Sequence, residues 1–158
     1  MTPSRLGALL VALAALIGLA PSPSRAEPSG SAVQDRRLSP LSADAENEYN
    51  RGIRARLAKD WAGAIEALQA AIMLRPAFPE AWNELGYAFR NQGRYAESLS
   101  AYDEALRLQP DFPEALEYLG EAYAKMGRLD DARRVLQRLR QLDTAKADEL
   151  AEEIEKAR

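Results

Sequence analysis

From Ala43 onward, apolar residues recur every three or four positions, with polar residues between them. That spacing puts an apolar stripe along each of a series of helices. It predicts helices over 43–57, 60–74, 79–91, 95–108, 113–125, 129–141 and 145–157. Pro79 and Pro113 fit first-turn positions, where a missing N–H costs nothing. Glu80 and Glu114 follow, against the positive helix end. Gly93 and Gly127 lie between paired helices, where a residue of positive φ ends a helix.

The stripes repeat at an offset of 34 residues. The tripeptide Pro79-Glu80-Ala81 returns as Pro113-Glu114-Ala115, and Gly86 and Gly93-Arg94 return as Gly120 and Gly127-Arg128. Gly52, Trp61, Ala64, Leu68, Ala71 and Pro76 stand one period earlier. A fixed period of paired helices is the signature of a repeat array. Gly52, Gly86 and Gly120 fall mid-helix, which costs about 1 kcal/mol relative to Ala. The cost is accounted for if a partner helix passes close by, with Ala64, Ser98 and Ala132 as its small facing residues. Trp82, Leu85, Phe89, Tyr95 and Tyr102 then fill the surrounding core.

These positions resemble the tetratricopeptide repeat family. The middle repeat, 79–112, matches at Trp82, Leu85, Gly86, Phe89, Tyr95, Tyr102, Ala105 and Pro110, with Ser98 for the usual Ala. The third, 113–146, keeps Leu119, Gly120, Tyr123 and Ala132 but has Leu139 and Thr144 for Ala and Pro. The first, 45–78, keeps Gly52, Ala64, Ala71 and Pro76 and has polar Glu48 and Arg51 at apolar positions. An array's first helix has no preceding neighbour, so polar residues there suit a cap. Ala147, Leu150, Ala151 and Ile154 form a final stripe at i, i+3, i+4, i+7. It suits a capping helix over 145–157; a dimerising helix is the alternative. The resemblance implies an all-α, right-handed superhelix of three helix pairs plus this cap.

It also implies a concave binding face lined by the first helix of each pair. The first helix contributes Tyr49, Ile53, Arg56 and Leu57. The second contributes Asn83, Tyr87, Arg90 and Asn91, and the third Glu114, Glu117, Tyr118, Glu121 and Lys125. The face is expected to run from apolar, through amide and Arg, to acidic. Family members that clamp a chaperone's terminal carboxylate use Lys and Asn, where this chain has Tyr49, Ile53, Glu84, Glu114 and Tyr118. That activity is not expected here.

Two N-terminal stretches break the helical pattern. Leu6 to Ala20 is an unbroken apolar run of 15 residues after Arg5, and Ser24-Arg25-Ala26 offers a small-residue cleavage site. This predicts a signal peptide, 1–26, cleaved after Ala26, and a chain exported to the periplasm or medium. A spanning helix needs about 20 apolar residues, so an uncleaved anchor is the weaker alternative. Residues 27–42 are rich in Ser, Pro and charge and are expected to be a flexible tether. Losing Arg5 and Arg25 leaves 19 basic and 24 acidic residues, a net charge of −5. No basic patch points to nucleic acid.

The chain has no His and no Cys, which removes the commonest general base, thiol nucleophiles and soft metal ligands. Asp130-Asp131 and Glu152-Glu153 are adjacent on helices, so their carboxylates diverge. No catalytic residue, cofactor or metal site is expected. The reading is an exported, non-catalytic adaptor that binds a peptide or protein surface, with a monomer favoured and the oligomeric state left open. Self-assembly is one alternative, and a small-ligand carrier with a pocket at Tyr49 and Ile53 another.

Overall fold

The computed structural model describes residues 40–158. The expected leader, 1–26, and most of the expected tether lie outside them. The helices are α1 (Pro40–Leu57), α2 (Trp61–Leu74), α3 (Pro79–Asn91), α4 (Tyr95–Leu108), α5 (Pro113–Lys125), α6 (Leu129–Leu139) and α7 (Thr144–Lys156). No strand occurs among the described residues. Two boundaries differ from expectation by more than one residue. Helix α1 begins three residues inside the expected tether, with Pro40 in its first turn. Helix α6 ends at Leu139, two residues early, and Asp143 then opens α7 by accepting from the Lys146 N–H at 3.1 Å.

Helices pair as α1 with α2, α3 with α4, and α5 with α6. One loop geometry closes each pair. The Arg94 N–H donates to Phe89 O, the Arg128 N–H to Tyr123 O, and the Asp60 N–H to Ala55 O, each at 2.9 Å. The residue just before each of these donors has positive φ: Gly93 at 75°, Gly127 at 72° and Lys59 at 58°. The first repeat thus puts a lysine where its copies use glycine.

The mid-helix glycines mark close approaches. A Cβ on Gly86 would lie 2.6 Å from the Tyr102 ring, and one on Gly52 2.7 Å from Leu68. Ser98 faces Gly86 as expected, donating its hydroxyl to Gly86 O at 2.8 Å. At Gly120 the nearest atoms belong to Leu150 of α7, at 2.4 Å, and not to α6. Helix α7 therefore packs against α5 from beyond the third pair. Its stripe of Ala147, Leu150 and Ile154 is buried with Leu116, Leu136 and Leu139. Because that face is used inside the chain, α7 is a cap and its stripe is not free to dimerise. At the other end, Arg51 pairs with Glu48 and Glu66, so the outer side of α1 is held by charges.

The first helices touch one another, α1 with α3 and α3 with α5, whereas α2, α4 and α6 do not meet. The stack therefore curves with α1, α3 and α5 on its inner side. Among the described residues, no helix is long and apolar enough to cross a membrane.

Candidate functional site

The inner face aligns in rows, because residues 34 apart occupy equivalent places on α1, α3 and α5. Tyr49, Asn83 and Glu117 form one row, and Ile53, Tyr87 and Glu121 another. Arg56 and Arg90 begin a third, which ends at Ala124. An aromatic and guanidinium cluster sits at the centre. The Tyr87 and Tyr118 rings are 5.2 Å apart, and Trp61 lies 6.0 Å from Tyr87. The Arg90 guanidinium stands 5.0 Å from the Tyr87 ring and 5.3 Å from Tyr118, and Arg56 is 5.5 Å from Tyr87. Cations over ring faces in this range are attracted by the ring quadrupole.

Three ion pairs join successive helices across this face. Arg56 of α1 meets Glu84 of α3 at 3.0 Å. Arg90 of α3 meets Glu121 of α5. Glu117 of α5 accepts from Lys146 of α7 at 2.9 Å, and Glu114 stands 3.8 Å from the same ammonium. Burial raises the Glu84 carboxyl above its ordinary range, with Arg56 opposing. Glu117 is raised for the same reason, with Lys146 opposing. Burial works against the Arg90 charge, but Tyr102 and Glu121 more than offset it, so its pKa rises. Tyr49 is pushed up to about 12, first by burial and then by Glu84.

These contacts sort the expected site residues. Tyr87 and Tyr118 are half-buried and reachable, as are Arg56 and Glu121. Arg90 is only 8% exposed and Glu117 5%, and both are already paired, so they hold the face together more than they offer free charge. Asn83 is 3% exposed, and its Oδ1 has no hydrogen-bond partner. Asn91 is exposed and donates to Tyr87 O of its own helix at 2.8 Å. Lys125 is exposed at the end of α5.

The expected gradient from apolar to acidic is not what the structure has. Arg56 and Glu84 place charge in the first zone, and Lys146 neutralises the acidic one. Tyr49, Ile53 and Leu57 do not form one patch either. Tyr49 lies against Phe78, ring centroids 4.9 Å apart, while Leu57 is 70% exposed. Tyr49 lines an open cleft of about 450 Å³ with Glu46, Arg75 and Glu80. So charged and open a cleft does not suit the small-ligand carrier. Sequence reasoning missed Trp61 and Lys146. No local spacing joins either to the inner face, since Lys146 arrives from the capping helix.

Among the described residues, no group of three or more metal-ligating side chains is placed to hold an ion. The TPR repeat family model matches residues 56–93 and 86–127, and the tetratricopeptide repeat model matches 113–146. The chain belongs to the tetratricopeptide repeat family. Solved TPR structures show the same fold. The Arabidopsis OM64 TPR domain is 18% identical with a TM-score of 0.70, covering 73% of this chain and 98% of that one. The second TPR domain of human RPAP3, in complex with the HSP70 peptide SGPTIEEVD, is 20% identical with a TM-score of 0.68, over 74% and 97%. MamA is 27% identical with a TM-score of 0.62, over 68% and 63%. No curated protein matches this chain.

Proposed function

We propose that this TPR chain is a non-catalytic adaptor whose inner face holds an extended peptide segment. The observation that carries the reading is Asn83. Its amide is buried on α3, one turn before Tyr87, and its Oδ1 lacks a partner. A buried acceptor left unpaired costs about 1–3 kcal/mol, and turning the amide toward the groove would let a backbone N–H of a bound segment recover it. The tyrosines supply contact area at low entropy cost, as interface anchors do.

The side-chain preference follows from the charges. The RPAP3 structure holds a peptide ending in acidic residues. Here Arg56, Arg90 and Lys146 are each paired to a carboxylate, and Glu84, Glu117 and Glu121 line the same face. We therefore propose an internal segment with neutral or basic side chains, not an acidic C-terminus.

Selection of peptides on the full chain from a random displayed library tests this. Selected peptides should lose at least about tenfold in affinity with Tyr87→Ala and with Asn83→Leu, while both variants keep their helical melts. Selected peptides that ignore both substitutions contradict the reading.

The proposed place of action is the cell envelope. The support is the 15-residue apolar run with Ser24-Arg25-Ala26 after it. N-terminal sequencing of the exported protein should return Glu27; Met1 contradicts it.

A further inference from the structure

Three glutamates occupy equivalent places on the first helices. Glu46, Glu80 and Glu114 are 34 residues apart, on α1, α3 and α5. The two outer ones meet a cation of this chain. Arg75 reaches Glu46 at 2.9 Å, and the Lys146 ammonium, bonded to Glu117, stands 3.8 Å from Glu114. Glu80 is exposed and, among the described residues, has no ion pair.

The repeat explains the difference. Arg75 directly follows α2, and one period on Gln109 directly follows α4. Their backbones are alike. Arg75 has φ −140° and ψ 87°, and its N–H donates to Ala71 O. Gln109 has φ −133° and ψ 90°, and its N–H donates to Ala105 O. A guanidinium at position 109 would therefore start toward Glu80 from the place that Arg75 has beside Glu46. The chain carries a neutral amide there instead.

Glu80 opens on the cleft of about 450 Å³ that Glu46, Tyr49 and Arg75 also line. Phe78 adds no free surface, because it is buried and the Arg75 guanidinium lies 3.3 Å from its ring centroid. What the cleft offers is charge: the carboxylates of Glu46 and Glu80 against the single guanidinium of Arg75. Asn83, 3% exposed and with its Oδ1 unpartnered, follows Glu80 on α3. The rise between the two is about 4.5 Å, less than the length of a lysine side chain.

We propose that Glu80 is a specificity-determining residue of the inner face, and that it takes a lysine or arginine side chain of the bound segment. That side chain gives the middle glutamate the cation that Arg75 and Lys146 give the outer two. It belongs to the residue that meets Asn83 or to its neighbour in the segment. The inference rests on the peptide-binding reading above and narrows it, from a neutral or basic segment to one with a basic residue at a fixed place.

The test selects peptides from a random displayed library on the full chain and, in parallel, on its Glu80→Gln and Gln109→Arg variants. Both variants change surface side chains and should keep the helical melt. Peptides selected on the parent should share a lysine or arginine at one aligned position. Replacing that residue with alanine should weaken binding to the parent about tenfold and leave binding to Glu80→Gln unchanged. Gln109→Arg copies Arg75, so it should pair with Glu80 from within the chain and select peptides that lack the shared basic residue. Parent peptides with no shared basic residue overturn the proposal. So does an alanine replacement that costs as much on Glu80→Gln as on the parent, or a basic preference that survives Gln109→Arg. In each of these cases the peptide-binding reading stands if the same peptides lose affinity with Tyr87→Ala. Peptides that bind the parent and ignore both Tyr87→Ala and Asn83→Leu overturn the two together.

Discussion

The Tyr102 ring occupies the space that a side chain at position 86 would need, 2.6 Å from an ideal Cβ. Tyr102 is fully buried and cannot swing away. Gly86→Ala should therefore destabilise the chain by about 1–3 kcal/mol, despite the better helix propensity of Ala. Gly120→Ala should cost less, because its obstacle is the tip of Leu150 on the terminal helix, which can shift. Thermal unfolding followed by circular dichroism gives the order; a Gly86→Ala variant as stable as the parent contradicts the close approach.

Lys59 takes the left-handed conformation that Gly93 and Gly127 take in the other repeats. That conformation costs a non-glycine residue about 1–2 kcal/mol, and glycine returns about half of it as unfolded-state entropy. Lys59→Gly should raise stability by about 0.5–1 kcal/mol. A lower melting midpoint would show that Lys59 makes a contact worth more than the strain.

Arg90 and Glu121 form the most enclosed ion pair of the inner face. Removing one partner of a buried pair strands the other, at about 3 kcal/mol. Arg90→Ala should thus reduce stability by about that amount, while Arg107→Ala, which breaks an exposed pair, should leave the melt unchanged. Urea unfolding of the two variants distinguishes them. This is why Tyr87 and Asn83, and not Arg90, are the positions at which to test binding.

Glu84 supplies a pH dependence with a definite sign. Its carboxyl is raised above the ordinary 4.5 by burial, so the folded state binds its proton more tightly than the unfolded chain does. Stability from this group is present below about pH 4.5 and is lost as pH rises through the higher folded value. Glu84→Gln cannot ionise. The melting midpoint of Glu84→Gln minus that of the parent should grow from pH 4 to pH 7; a difference constant across that range contradicts the shift.

Much of the fold could be read directly. The 34-residue period, the prolines before α3 and α5 and the glycines after them are local signals, and each helix lies where they place it to within a few residues. The cap was legible because Leu150 and Ile154 continue an apolar stripe past the third repeat. The site was legible only in outline. Row membership follows from the period, so Tyr87 and Tyr118 were found. What each row residue touches does not. Arg90 with Glu121, and Glu117 with Lys146, lie about thirty residues apart and meet only because the helices cross at particular heights. That crossing turned a supposed peptide-facing arginine into an internal tie, and it left Asn83 among the buried groups without a hydrogen bond.

The central claim is that the inner face is occupied by an extended segment at Asn83, Tyr87 and Tyr118. Its most direct test is crosslinking in the host cell, with a photoreactive phenylalanine analogue at position 87 of the full chain and, as a control, at exposed Gln137 of α6. The account predicts a discrete adduct from position 87, absent from position 137 and lost when Asn83→Leu is added. An adduct formed equally from both positions, or one from 87 that survives Asn83→Leu, would contradict it.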